Sequence, residues 1–328
     1  MEETSRIAVT SRVFSRNAVL RQELLARYRD VLFNDTGKAL AGSDLVAFLT
    51  GRDRAIVSLE RIDENLLSRL PELRTVSKYG VGLDNIDLAA LERHGVSLGW
   101  RGGVNRRAVS ELALAFMLIA LRNLQVAHQV VTSGNWRQPV GAQLSGRTVG
   151  IIGCGFIGKD LVELLAPLGC PILAHDIRDY RDFYHRKAVT PLGLEALLSR
   201  AEVVTLHVPL DASTRNILSA ERLALMKPGA VLINTARGGL VDEKALKERL
   251  IKGQLAAAAF DVYAVEPPID SELMQLPNFY STPHIGGSSE EAILAMGRAA
   301  IDGLSSSHPV SFYSDQNRDL TGAREISP

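Results

Sequence analysis

The stretch VGIIGCGFIGKD, residues 149–160, constrains this chain more than any other. It holds Gly153-x-Gly155-x-x-Gly158. The three glycines follow an apolar run, Val149–Ile152, and open a helical pattern. An acidic residue, Asp176, ends the next apolar run about twenty residues on, the spacing of a dinucleotide-binding βαβ unit. Each glycine has a separate task. Gly153 permits the tight turn, Gly155 lets backbone approach a pyrophosphate, and Gly158 allows close helix–strand packing. The amides near Phe156 and Ile157 would face phosphate at the helix N-terminus. Asp176 would accept from ribose hydroxyls and repel a 2′-phosphate, which favours NAD over NADP, with Arg178 nearby as an opposing charge. The alternative is a purely structural strand–turn–helix.

Around this turn, short apolar runs alternate with helical patterns, the signature of parallel sheets built from βαβ units. Before it, strands are expected at 6–11, 30–35, 44–51, 73–80 and 95–100, with helices at 17–28, 63–70 and 86–95. After it, strands are expected at 171–176, 202–210, 230–239 and 255–263. Residues 105–132 read as one long helix, apolar nearly all round and so suited to a core or a subunit interface. The chain has 328 residues, enough for two domains. The expected fold is α/β with two doubly wound parallel-sheet domains. A Rossmann domain, 105–287, is inserted into a flavodoxin-like substrate domain, 1–104 plus 288–328, with the active site in the cleft between them. Residues 305–328 read as coil or a loosely docked segment, too few for a further domain.

Composition excludes several classes. Apolar residues are 46%, charged residues 23% and net charge is zero, so no bulk field attracts nucleic acid. The two cysteines, Cys154 and Cys170, form no disulfide framework or metal motif. No secretory signal and no apolar run of membrane-spanning length is visible, so a cytoplasmic protein is expected.

An NAD-linked oxidation of a 2-hydroxy acid needs a cation for the carboxylate, a base for the hydroxyl proton and a group to tune that base. The second half supplies candidates just beyond its strands. INTARGG places Arg237 after a buried strand, where a guanidinium could grip a carboxylate bidentately. AFDVYAVEPP ends another strand with Asp261 and Glu266, and STPHIGG carries His284.

These motifs in this order, GxGxxG with Asp176, HVPL, NTARGG, DVYAVEPP and TPHIGG, resemble the D-2-hydroxyacid dehydrogenase family over about residues 6–304. SKYGVGLDNIDL, residues 77–88, is most similar to its D-3-phosphoglycerate dehydrogenase branch. The resemblance implies that Arg237 anchors the substrate carboxylate, that His284 is the general acid/base and that Glu266 pairs with it. It implies that Asp261 meets the nicotinamide carboxamide. His207, Val208, Pro209, Thr214, Thr235, Ala236 and Gly286 would line the cofactor. It also implies a homodimer through the helix 105–132.

On the substrate side, Gly80 and Gly82 expose amides that form a nest for a carboxylate, flanked by Lys78, Tyr79 and Val81. Arg52 and Arg54 are expected in the loop after the third strand, offered to a substrate phosphate, or else simply solvated. Asn105 opens the long helix at the domain junction. The expected substrate is 3-phosphoglycerate or a similar anionic acid. Alternatives are glyoxylate or another 2-keto acid, a phosphonate-pathway acid, or a non-catalytic NAD-sensing role like that of corepressors with this fold. No metal site is expected.

Overall fold

The strands are only three to six residues long, and most are buried on both faces, as a parallel sheet covered by helices requires. The structure, a computed structural model, describes residues 5–316. It divides into two compact units: residues up to Asn105 together with those from Ser289 onward, and Arg106–Ser288.

The first unit holds β1 (Arg6–Val9), β2 (Asp30–Phe33), β3 (Arg54–Val57), β4 (Thr75–Lys78) and β5 (Ser97–Gly99). All pair in parallel in the order β2-β1-β3-β4-β5, the flavodoxin-like arrangement. One expectation fails here. Residues 44–51 are not a strand; Gly42–Leu49 is a helix. Its buried residues are Leu45, Val46 and Leu49, one helical face, and Asp44 lies in its first turn. A short apolar run carries either reading, and the 3.6-residue period prevailed. The third strand therefore begins later, at Arg54.

The chain returns to this sheet through the helix Glu290–Ser305. Small residues let it lie close against the strands. A Cβ on Gly303 would overlap Ser77 Oγ and lie 2.9 Å from Gly99 Cα. Ser77 Oγ donates to Ala300 O at 2.7 Å. Beyond it, where coil was expected, a helix spans Val310–Gln316, and residues 317–328 lie outside those described. His308 and Leu98 bond reciprocally through their backbones, and Tyr313 Oη donates to Leu98 O at 2.6 Å.

The second unit holds β6 (Val149–Ile152), β7 (Ile172–His175), β8 (Val189–Pro191), β9 (Val203–Leu206), β10 (Ala230–Asn234), β11 (Leu255–Phe260) and β12 (Phe279–Ser281). Their order is β12-β11-β10-β9-β6-β7-β8, all parallel, a doubly wound Rossmann sheet whose strand order reverses between β6 and β9. The long helix expected at 105–132 is two helices, Arg106–Arg122 and Leu124–Thr132, bent by 61°. Asn123 makes the break: its φ of 52° is left-handed, a conformation asparagine tolerates. Its Nδ2 donates to Val140 O at 3.0 Å, which ties down the returning segment. Among the described residues no single helix is long and apolar enough to cross a membrane.

The Gly99–Gly303 approach makes a stability prediction. Gly303→Ala should destabilise the protein by about 1–3 kcal/mol through overpacking. Thermal unfolding measures this, and an unchanged melting temperature would reject the contact.

Candidate active site

The glycine turn lies where the sheet order reverses, the place at which open α/β sheets bind ligands. Ile152 is level with Leu206, so Gly153 follows one strand directly beside His207 on the other. Gly153 has φ 92°, and a Cβ there would lie 2.7 Å from the His207 backbone and 2.8 Å from Val208 Cγ1. A Cβ on Gly158 would overlap Gly153 O. Gly155 is different: a Cβ there would meet nothing within 4 Å. The space beside Gly153 and Gly158 is filled by protein, and that beside Gly155 is open. Gly155 also caps the helix Phe156–Leu165 with no side-chain bond, and no acidic residue sits in the first turn. The first amides are thus left for an anion.

Asp176 follows β7 and is fixed by two amides. Its Oδ2 accepts from Cys154 N at 2.6 Å and its Oδ1 from Arg178 N at 2.9 Å. Beside it is a cavity of about 270 Å³ lined by Ala174, Asp176, Ile177, Arg178, Pro191 and Leu192, suited to one half of a dinucleotide. Cys154, inside the turn, is buried, and that burial pushes its thiol up to about 11, so it is no thiolate nucleophile.

Two buried polar atoms beside the switch point lack partners, His207 Nδ1 and Thr235 Oγ1. Each follows a neighbouring strand, β9 and β10, and an unmet buried polar atom costs about 1–3 kcal/mol unless a ligand satisfies it. His207 Nε2 meets Thr205 Oγ1 at 2.9 Å. Burial pushes His207 down to about 3, so it is neutral at physiological pH and cannot donate an imidazolium proton. Pro209 is exposed. Thr214 closes the loop beyond it: its Oγ1 donates to Pro209 O at 2.7 Å and accepts from Asp211 N at 2.8 Å. The open cradle at Gly155 and the orphaned atoms of His207 and Thr235 fit a bound dinucleotide.

Arg237 leaves β10 in a turn built by Asn234. The Asn234 Oδ1 accepts from Ala236 N at 3.1 Å, and its Nδ2 donates to Arg237 O at 2.9 Å. The sequence reading passed over Asn234, although Asn two residues before a turn amide is a familiar signal. Arg237 Nη1 donates to Ala236 O at 2.7 Å. Gly238 next to it lies so close to β11's exit that a Cβ would overlap Tyr263 O.

That exit carries Glu266, whose Oε1 accepts from Tyr263 N at 3.1 Å. The other oxygen, Oε2, lies 2.8 Å from His284 Nδ1. The two side chains are part-exposed, 39% and 47%. Asp261, expected to meet a carboxamide, is 1% exposed and accepts from Thr282 Oγ1, Ile285 N and Gly286 N. Gly286, expected to line the cofactor, lies against it: a Cβ there would be 3.1 Å from Oδ2.

Two of the expected substrate residues, Arg52 and Arg54, are placed otherwise than foreseen. Arg54 begins β3 and Arg52 precedes it, so both lie at the amino edge of the sheet, opposite the edge carrying Gly80 and Gly82. Arg52 pairs with Asp30 at 2.5 Å, and Arg54 donates to Leu304 O at 2.8 Å. Lys78 is buried, and its Nζ donates to Ser58 O and to Asn85 Oδ1, which ties the loops after β3 and β4 together. Asn85, absent from the sequence reading, also donates to Ser58 O at 3.1 Å and Glu60 O at 2.5 Å. Tyr79 Oη is buried without a partner, and burial pushes it up to about 12. Val81 O accepts from Trp100 Nε1 at 2.9 Å, while Gly80 has φ 124°. Asn105 Oδ1 is buried and unpartnered. No group of three or more potential metal ligands occurs among the described residues.

Comparison with known proteins agrees with this geometry. Residues 114–286 match the model of the D-isomer specific 2-hydroxyacid dehydrogenase NAD binding domain. The (S)-sulfolactate dehydrogenase of Chromohalobacter salexigens is 36% identical over 84% of this chain and 89% of its own length. The D-3-phosphoglycerate dehydrogenase of Methanocaldococcus jannaschii is 35% identical over 80% of this chain, and the match spans about half, 51%, of that relative. The structure of a glyoxylate reductase from Paecilomyes thermophila superposes with a TM-score of 0.83 at 25% identity, covering 98% of each chain. The model match covers more than half of the sequence and takes in the glycine turn, Arg237, Glu266 and His284, so this chain belongs to the D-isomer specific 2-hydroxyacid dehydrogenase family.

Proposed function

We propose that the protein transfers hydride between a D-2-hydroxy acid and NAD, with His284 as general acid/base. The observation that carries this reading is the His284–Glu266 pair at 2.8 Å, in the same unit as the glycine turn. Glu266 accepts from Nδ1 and so fixes the tautomer, which directs Nε2 toward substrate. His284 takes the hydroxyl proton during oxidation and returns it during reduction. Arg237 holds the carboxylate and polarises the oxygen at C2. Gly155, Phe156 and Ile157 hold the pyrophosphate through backbone amides, Asp176 holds ribose, and His207 and Thr235 meet the remaining polar groups. NAD supplies the hydride acceptor.

The substrate is a small anionic 2-hydroxy acid. The similarity to a D-3-phosphoglycerate dehydrogenase supports a phosphorylated one. Arg52 and Arg54 do not, because they lie at the opposite edge of the sheet from the carboxylate nest. The similarities to relatives named for sulfolactate and glyoxylate support the wider class.

The exposure of the second helix of the bent pair supports a homodimer. The helix Leu124–Thr132 buries none of its residues, and beyond it Trp136 and Val140 are 86% and 91% exposed. Such an apolar arm calls for a partner, here a second copy of this chain.

Absorbance at 340 nm should report NADH formation with one or more of 3-phosphoglycerate, D-glycerate, D-lactate and phosphonolactate, and His284→Ala should lower kcat by ~10²–10⁴-fold. NADH binding with no turnover on any acid, in either direction, would favour a sensing role instead. The paired change Trp136→Glu with Val140→Glu should yield a monomer by light scattering; an unaltered dimer would place the interface elsewhere.

A further inference from the structure

Glu266 stands on a stretch of chain that packing does little to hold. Residues 264–267 are all exposed. Two apolar side chains of the connection between β11 and the helix Ser271–Gln275, Val265 and Ile269, are 54% and 83% exposed. Fixing one residue's backbone costs about 1–2 kcal/mol in entropy, and burial offsets little of it here. Such a loop takes its geometry from polar bonds instead.

Those bonds come from one face of the helix Glu243–Ile251. Glu243 and Lys247 are four residues apart and so lie on the same side, one turn from each other. Glu243 Oε1 accepts from Ala264 N at 2.8 Å, two residues before Glu266. Lys247 Nζ donates to Asp270 Oδ2 at 2.8 Å, four residues after Glu266, and lies 3.0 Å from Glu272 Oε2. Asp270 in turn caps the next helix, its Oδ1 accepting from Leu273 N at 3.1 Å. The helix that grips the loop is itself well fixed. Asp242 Oδ1 accepts from Ala245 N at 3.0 Å, and Leu246 and Leu250 are buried. Between the two anchors, Glu266 keeps Oε1 on Tyr263 N and presents Oε2 to His284 Nδ1.

We propose that Glu243 and Lys247 are positioning residues, which anchor the loop on either side of Glu266 and so hold its carboxylate against His284. The proposal rests on the acid–base reading of His284. Among the described residues, neither anchor bonds to Glu266 or His284 itself, so each acts through the loop.

Glu243→Ala removes the acceptor of Ala264 N. Misplacement of a reacting group by about 1 Å can cost ~10²-fold, and kcat should fall by ~10- to 10²-fold. NADH affinity, measured by fluorescence titration on the full chain, should be unchanged. Glu243→Gln keeps a carbonyl oxygen in the same place and should retain most of the rate. Lys247→Met releases the other anchor and should act in the same direction. The decisive readout is coupling. The anchors matter only while residue 266 has a carboxylate to present, so adding Glu243→Ala to Glu266→Ala should slow the enzyme no further. Lys247→Met runs through the same cycle should Glu243→Ala fail to fold. Multiplied losses in the double variant overturn the proposal, as does a wild-type kcat in either single variant. A Glu243→Gln enzyme as slow as Glu243→Ala overturns it too, and so does NADH affinity that falls in step with kcat. The two readings fail separately: full turnover by Glu266→Ala or His284→Ala sinks the acid–base pair, whereas slow forms of both with multiplied losses sink only the anchors.

Discussion

Three adjacent strands that end level with one another make the rest of the site possible. In the parallel pairing, Asn234 is opposite Phe260, and Phe260 is opposite Ser281. The chain thus leaves β10, β11 and β12 at a common edge. Arg237 comes three residues after the first, Glu266 six after the second and His284 three after the third. Parallel strands each need a long crossover to return, so residues far apart in sequence meet only where their strands end together. Slipping one strand by a single residue would turn its side chains to the opposite face and scatter the exits. The fine adjustment comes from backbone proximity. Gly238 has no side chain to hold the turn after β10 away from Tyr263, and the carboxylate of Asp261 draws in the loop after β12.

Features that were legible in the sequence depend on local geometry. The glycine turn announces itself because three positions within six residues must each lack a Cβ or admit a ligand, and no other residue type meets that demand. The order of strands and helices in the second unit follows from the same economy: buried strands read as apolar runs bounded by turns. The errors arose where a local signal was ambiguous. Residues 44–51 are apolar enough for a strand and long enough for two helical turns, and only the tertiary packing of Leu45, Val46 and Leu49 decides. This one misreading moved Arg52 and Arg54 from the carboxyl edge of a sheet to its amino edge, and with them went the expected phosphate contacts. The break at Asn123 was invisible for a related reason. A single asparagine in a helical pattern costs little, and only the returning segment at Val140 gives it cause to turn left-handed.

Roles carried by side chain to backbone bonds were the least legible. Asn234 ends β10, Asp261 directly follows β11 and Asn85 lies in the loop after β4, places where a reader expects groups that face a ligand. Each is instead spent on backbone amides or carbonyls: Asn234 on the turn of Arg237, Asn85 on the loop after β3, Asp261 on the loop of His284. A motif marks such residues as belonging to the site without saying whether they touch substrate or hold what does.

The same distinction separates the family from the substrate. Arg237, Glu266, His284 and the glycine turn all belong to residues 106–288, so one unit contains the parts that would move hydride and proton. In the proposed roles those parts would act on atoms common to every 2-hydroxy acid: a carboxylate, a hydroxyl and the hydrogen on C2. In the other unit Lys78, expected beside a carboxylate nest, is buried and bonded to Ser58 and Asn85. A buried ammonium with protein acceptors already in place gains little by meeting a substrate anion, since it has paid its desolvation cost and found partners.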